Sequence, residues 1–126
     1  MGLLVFFRPS RVYGLALVPS VYVDGKQIAR LDNGRYFSLY VAPGKHVATS
    51  NMKKESPLDL DVKSGEALYL EMVIVSGTWK AGGRLVPAPA ADAVQTLGKM
   101  KPLDKGYIVD KSVVFDTQPA PAPAKN

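Results

Sequence analysis

The sequence predicts an all-β fold, a small antiparallel β-sandwich of about eight short strands with one short helix near residues 89–100. Three observations predict it. Turn chemistry recurs at nearly even spacing in VYVDGKQIARLDNGRYFSLYVAPGKH, residues 21–46. The runs between the turns are short and rich in β-branched and aromatic residues. Only one stretch of the chain repeats its apolar residues at helical spacing.

Each turn has its own cause. Asp24-Gly25 supplies the two positive φ angles of a tight hairpin, and Asn33-Gly34 offers the same chemistry. Pro43-Gly44 fits a type II turn, Pro presetting φ and Gly accepting a positive value. Together they predict an antiparallel meander.

The elements follow in order. Residues 2–8 form a first strand; Arg8-Pro9 ends this apolar run, which has neither the basic start nor the cleavage site of a signal peptide. Residues 9–19 are a proline-bounded connection. Strands are expected at residues 21–23, 26–31, 35–41 and 44–50, with Phe37, Leu39 and Val41 on one face and Tyr36, Ser38 and Tyr40 on the other. Polar residues 51–56 read as a loop. In residues 58–62, LDLDV, the leucines and valine face a core and Asp59 and Asp61 face water. Residues 67–75, ALYLEMVIV, read as a central strand covered on both faces, with Glu71 expected either near an edge or paired with a nearby base. Residues 78–87, with Gly82-Gly83, read as a hairpin tip or loop. The helix starts at Pro89, repeats Ala90, Ala93 or Val94, Leu97 and Met100, and stops before Pro102. Gly98 within it costs about 1 kcal/mol relative to Ala, so it needs packing against a sheet. Residues 107–115 read as the last strand. The Pro-Ala tail has nothing to bury and reads as a disordered spacer. The domain is therefore residues 1–116 and the tail residues 117–126.

Composition narrows function by exclusion. A chain of 126 residues suits one domain able to bury its own core. It has no run approaching a membrane span. It has no cysteine, so a disulfide, a thiolate metal site and a thiol nucleophile are ruled out; a lipid anchor on cysteine would lie outside these residues. The net charge of +5 comes from scattered lysines, only Lys53 and Lys54 being adjacent, which reads as a solvated surface and not a nucleic-acid stripe.

The chemistry-bearing residues are few. His46 is the single histidine, and no Gly-x-Ser-x-Gly elbow accompanies it. It reads as a strand residue donating to a backbone carbonyl; a hydrolase built on His46 with a serine and an aspartate is a third reading. Asp59 and Asp61 lie about 7 Å apart on one strand face. Such a pair can bind calcium or act on glycosides, but on the wet face of a strand it reads as solubility. No cofactor and no metal are implied. The candidate binding residues are aromatic and basic: Trp79 with Lys80 and Arg84 near the glycines, then Tyr36 and Tyr40 on one strand face.

Four segments in this order, Phe6-x-Arg8-Pro9-Ser10, Val21-Tyr22-Val23-Asp24-Gly25-Lys26, Asn33-Gly34-x-Tyr36-Phe37 and Pro43-Gly44-Lys45-His46, precede a late Leu-Val-Pro-x-Pro and a short helix. The combination resembles the bacterial domain-of-unknown-function 2846 family, over roughly residues 3–103. Some members of that family are described as lipoproteins or envelope proteins. The resemblance implies an all-β domain in the periplasm or cell envelope, with no enzymatic activity and no catalytic residues to carry over. The expected role is a non-enzymatic interaction or structural module with a protein partner, acting through a sheet edge or exposed rings. A cell-wall glycan bound on a ring platform is the alternative. Contact with a membrane is expected only through an anchor outside the chain.

Overall fold

The computed structural model describes residues 1–11, 17–50, 57–75 and 82–113. It is a sandwich of two sheets with a helix on the outside of one of them. The expected loop at 51–56, the expected tail at 117–126, and Trp79 and Lys80 lie outside the described residues.

Sheet A orders its strands β8 (Gly82–Ala88), β7 (Ala67–Val75), β1 (Gly2–Phe7), β4 (Arg35–Val41) and β9 (Lys101–Pro102). Sheet B orders β3 (Lys26–Arg30), β2 (Ser20–Val23), β5 (Gly44–Ser50) and β6 (Leu58–Val62). Most pairings are antiparallel as expected, but β1–β7 and β4–β9 are parallel. A parallel pair requires a long connection. For β1 and β7 the intervening strands provide it.

The main core lies between the sheets. Leu4, Phe6, Phe37, Leu39, Leu70 and Met72 of sheet A meet Val21, Val23, Ile28, Ala48, Leu60 and Val62 of sheet B. Phe6 stacks on Phe37 at 5.1 Å between centroids. A second core lies on the far face of sheet A, where α1 (Ala90–Leu97) sets Ala93 and Leu97 on Leu3, Val5, Phe7, Tyr36 and Tyr69. Every residue of β1 is therefore buried. Strand β7 is interior to sheet A, as expected, with Leu70 and Met72 in the main core and Tyr69 in the second, but it is only half-buried over residues 73–75. Its Glu71 finds the expected base, Arg11 at 3.8 Å.

The meander is corrected. Asp24 and Gly25 both adopt positive φ, and only this turn joins two neighbours in one sheet. At the second turn Gly34 alone has positive φ, and Asn33 instead turns its side chain to the Arg8-Pro9-Ser10 segment: its Oδ1 accepts the Arg11 N–H and its Nδ2 donates to Ser10 Oγ. The chain changes sheet there and again at Pro43-Gly44. Burial explains the swap. Strand β4 is buried along most of its length and belongs in the sheet covered twice, whereas β5 and β6 keep exposed residues along one face and belong in the sheet with a wet side.

Three further expectations change. The glycines at 82–83 open β8 and not a loop tip: a Cβ on Gly83 would lie 2.5 Å from Met72 Sδ and 2.7 Å from Pro19 Cβ, so glycine is what lets the sheets approach. The helix ends at Leu97, not at 100, and Met100 packs on the second core from the turn that follows. Of the last expected strand, residues 107–115, Tyr107 ends a 3-10 turn, Lys105–Tyr107, and Ile108 makes a single bridge to Ala29; residues 114–115 lie outside the described residues. A register shift between β2 and β3 sets the Ile28 carbonyl to accept both Val109 and Asp110 N–H groups, which ends the pairing at once.

Arg8 holds the two sheets to the first connection. It is 2% exposed, and its Nη1 donates to the carbonyls of Leu17 at 2.6 Å and Leu31 at 2.9 Å. Burial lowers its pKa from the ordinary arginine value, and Asp32 acts the other way.

Candidate functional site

The described members of the sequence-predicted set do not converge. Tyr36 is 5% exposed, under α1, whereas Tyr40 is 42% exposed. The two rings share a strand face but form no platform, because the helix covers one of them. Arg84 is exposed on β8 opposite Val73; Tyr40 lies on β4 opposite Leu3, three strands away with β7 and β1 between, and toward the opposite ends of those strands.

His46 is fully engaged. Its Nδ1–H donates to Asp24 Oδ2 and its Nε2–H to the Ala42 carbonyl, each at 2.7 Å. Both partners are acceptors, so these contacts favour the protonated ring, which donates from both nitrogens. The Asp24 carboxylate first, and the Ala42 carbonyl second, raise its pKa above the ordinary histidine value, against a smaller effect of burial. The Asp24 carboxyl is correspondingly lowered, chiefly by His46. Both ring nitrogens face partners within the fold, so the ring ties the β2–β3 turn to the start of β5. The expected bond to a backbone carbonyl is present, with Asp24 as a second partner that spacing alone does not reveal. Among the described residues no group of three or more His, Asp or Glu side chains could hold a metal ion.

The open feature of the fold is a sheet edge. Three of the four edges are covered or blunted. Residues 108–110 lie along β3 and bond the Ile28 carbonyl. Strand β9 is two residues long and ends in Pro102. Strand β8 carries Pro87, which has no N–H, and its Gly83 carbonyl accepts the Ser50 hydroxyl. The fourth edge, β6, bonds only to β5 among the described residues.

The register identifies which groups of β6 face outward. Val47 turns both its C=O and its N–H to Asp24, the carbonyl to the Asp24 N–H at 2.7 Å and the amide to Asp24 Oδ1 at 2.9 Å. Val47 therefore bonds nothing across to Asp59, its opposite residue on β6. Antiparallel pairs alternate between bonded and non-bonded. Leu58, Leu60 and Val62 must then bond to β5, and the backbone groups of Asp59 and Asp61 point to the free edge. Their carboxylates stand exposed on the outer face, and neither has a hydrogen bond or ion pair among the described residues.

The sheets meet where Ser50 Oγ bonds the Gly83 carbonyl, and two cavities lie between β6 and the β7–β8 side of sheet A. One cavity of about 250 Å³ is lined by Ser50, Leu58, Leu85 and Pro87, and another of about 290 Å³ by Leu60, Leu68, Leu70 and Pro87. The alternation in LDLDV was readable from the sequence. That this strand ends a sheet was not, and two acids on an edge strand were the available signal.

No helix among the described residues is long and apolar enough to cross a membrane. No curated protein and no solved structure gives a significant match to the chain. A family model does match, over residues 1–84, a span that ends inside β8 and leaves α1 and the late Leu-Val-Pro-x-Pro beyond it. That span is 84 of 126 residues and contains all four of the early segments quoted above, and on it the chain belongs to the family described as "Protein of unknown function (DUF2846)".

Proposed function

We propose that this chain is a non-enzymatic protein-interaction domain of the bacterial cell envelope, which takes up an extended segment of another protein as an added strand beside β6. One observation carries the reading: among the described residues three sheet edges are covered or blunted, while the Asp59 and Asp61 backbone groups of β6 have no partner and a cavity lies behind them. Strand addition draws its affinity from main-chain hydrogen bonds and its specificity from alternate side-chain pockets, and this edge offers both. The engagement of both His46 nitrogens supports a role without catalysis. The envelope location rests on the family resemblance.

The test is cross-linking in the living bacterium, followed by fractionation. A photoreactive side chain replacing Asp61 is expected to trap an envelope protein, and one replacing Thr96 on α1 is not. Asp59→Pro removes one outward N–H at a position where an edge strand tolerates proline, and abolishes the product while the circular dichroism spectrum stays the same. A product that survives Asp59→Pro, or none from position 61, overturns the proposal.

A further inference from the structure

We infer that the segment accepted by β6 carries a basic–apolar–basic triplet, with its two cations opposite Asp59 and Asp61 and its central side chain in the cavity beside Leu60. The inference rests on the edge-docking reading above and specifies its ligand.

The outer face supplies the charge. Asp59 and Asp61 are the residues whose backbone groups are free, so they form bonded pairs with an antiparallel newcomer. The opposing residues then sit about 5.5 Å away, Cα to Cα, with their side chains on the same face as the two carboxylates. Neither carboxylate is in an ion pair among the described residues, although Lys45 stands opposite Asp61 on β5. Opposite charges across a strand pair favour pairing, and two such pairs together give a preference of roughly tenfold over uncharged residues.

The inner face supplies the apolar requirement. The residue between the two cations faces the same way as Leu60, toward the cavity of about 290 Å³ walled by Leu68, Leu70 and Pro87. This cavity is half open to solvent and mostly apolar, with Glu66 also in its lining, and has room for a leucine-sized side chain.

Charge also disfavours self-association here. A second copy of β6 would set aspartate against aspartate, and like charges directly opposite are destabilising. The partner is therefore a different chain. The net charge of +5 gives no long-range attraction for a cationic segment, so the selectivity arises at contact.

Three synthetic heptapeptides differing only at the centre, Lys-Leu-Lys, Gln-Leu-Gln and Glu-Leu-Glu between identical Thr-Val flanks, test this by amide chemical-shift titration of the full chain. The Lys peptide is expected to bind about tenfold tighter than the Gln peptide, shifting the Asp59 and Asp61 amides most. Asp59→Asn with Asp61→Asn levels the two affinities, and Asp59→Lys with Asp61→Lys inverts the order toward the Glu peptide. Equal binding of the Lys and Gln peptides at β6 overturns the charge inference and leaves the edge reading standing. Shifts centred away from β6, or binding by none of the three, overturn both.

Discussion

Replacing Arg8 with methionine tests how the first connection is held. The substitution keeps the apolar stem and deletes the guanidinium, whose Nη1 serves both the Leu17 and Leu31 carbonyls. Hydrogen bonds to a charged group contribute about 1.5–3 kcal/mol each. Relief of the burial that already lowers the Arg8 pKa returns part of that. The net loss expected is about 2–4 kcal/mol, out of a total stability of roughly 5–15 kcal/mol for a domain. With a urea slope of about 1.5 kcal/mol per molar, the unfolding midpoint falls by roughly 1.5–2.5 M. Urea titration followed by far-ultraviolet circular dichroism reads this directly. A midpoint within about 0.3 M of the wild type, at unchanged slope, refutes the reasoning and makes the buried charge energetically neutral.

Two predictions concern polar groups elsewhere. The raised His46 pKa means the clamp contributes fully below the unfolded histidine value near 6.5 and is lost as pH rises through the higher folded value. The lowered Asp24 pKa means the same clamp is lost again as pH falls below about 3.8, so it is strongest between about pH 4 and 6.5. Asp24 is half-exposed, so the effect is about 0.5–1 kcal/mol; His46→Gln is expected to flatten the pH dependence of stability between pH 6 and 8.5, and a variant that keeps the wild-type slope would contradict the assignment. Ser38 Oγ is buried and has no hydrogen-bond partner among the described residues. Ser38→Ala is therefore expected to raise stability by about 1 kcal/mol, while a loss of that size on thermal unfolding would mean the hydroxyl is bonded.

Elements were legible in the sequence wherever local chemistry decides them. The Asp24-Gly25 hairpin, the alternation in β6 and the helix against a sheet all rest on a few neighbouring residues. Sheet membership was not legible, because β4 leaves its sequence neighbours to suit a layer buried on both faces, and that requirement is set by β1 and α1 from distant parts of the chain. The same holds for Gly83, whose lack of a side chain reads as flexibility until Met72 and Pro19 come within 3 Å of where a Cβ would sit. Of the candidate site, the two exposed acids were visible but their free backbone groups were not. Those depend on Val47 turning to Asp24 across the sheet, a contact between residues far apart in sequence. Tyr36 misled for a related reason: alternation puts it on the face of Tyr40, and only the position of α1 covers one ring and leaves the other.

The most direct test of the central claim, a free strand edge at β6, is amide hydrogen exchange of the protein alone, resolved residue by residue. The account predicts alternation along one strand: Leu58, Leu60 and Val62 protected by β5, Asp59 and Asp61 exchanging near the rate of an open chain. Protection of Asp59 and Asp61 equal to that of Leu60 would mean the edge is already paired, and the account would fall.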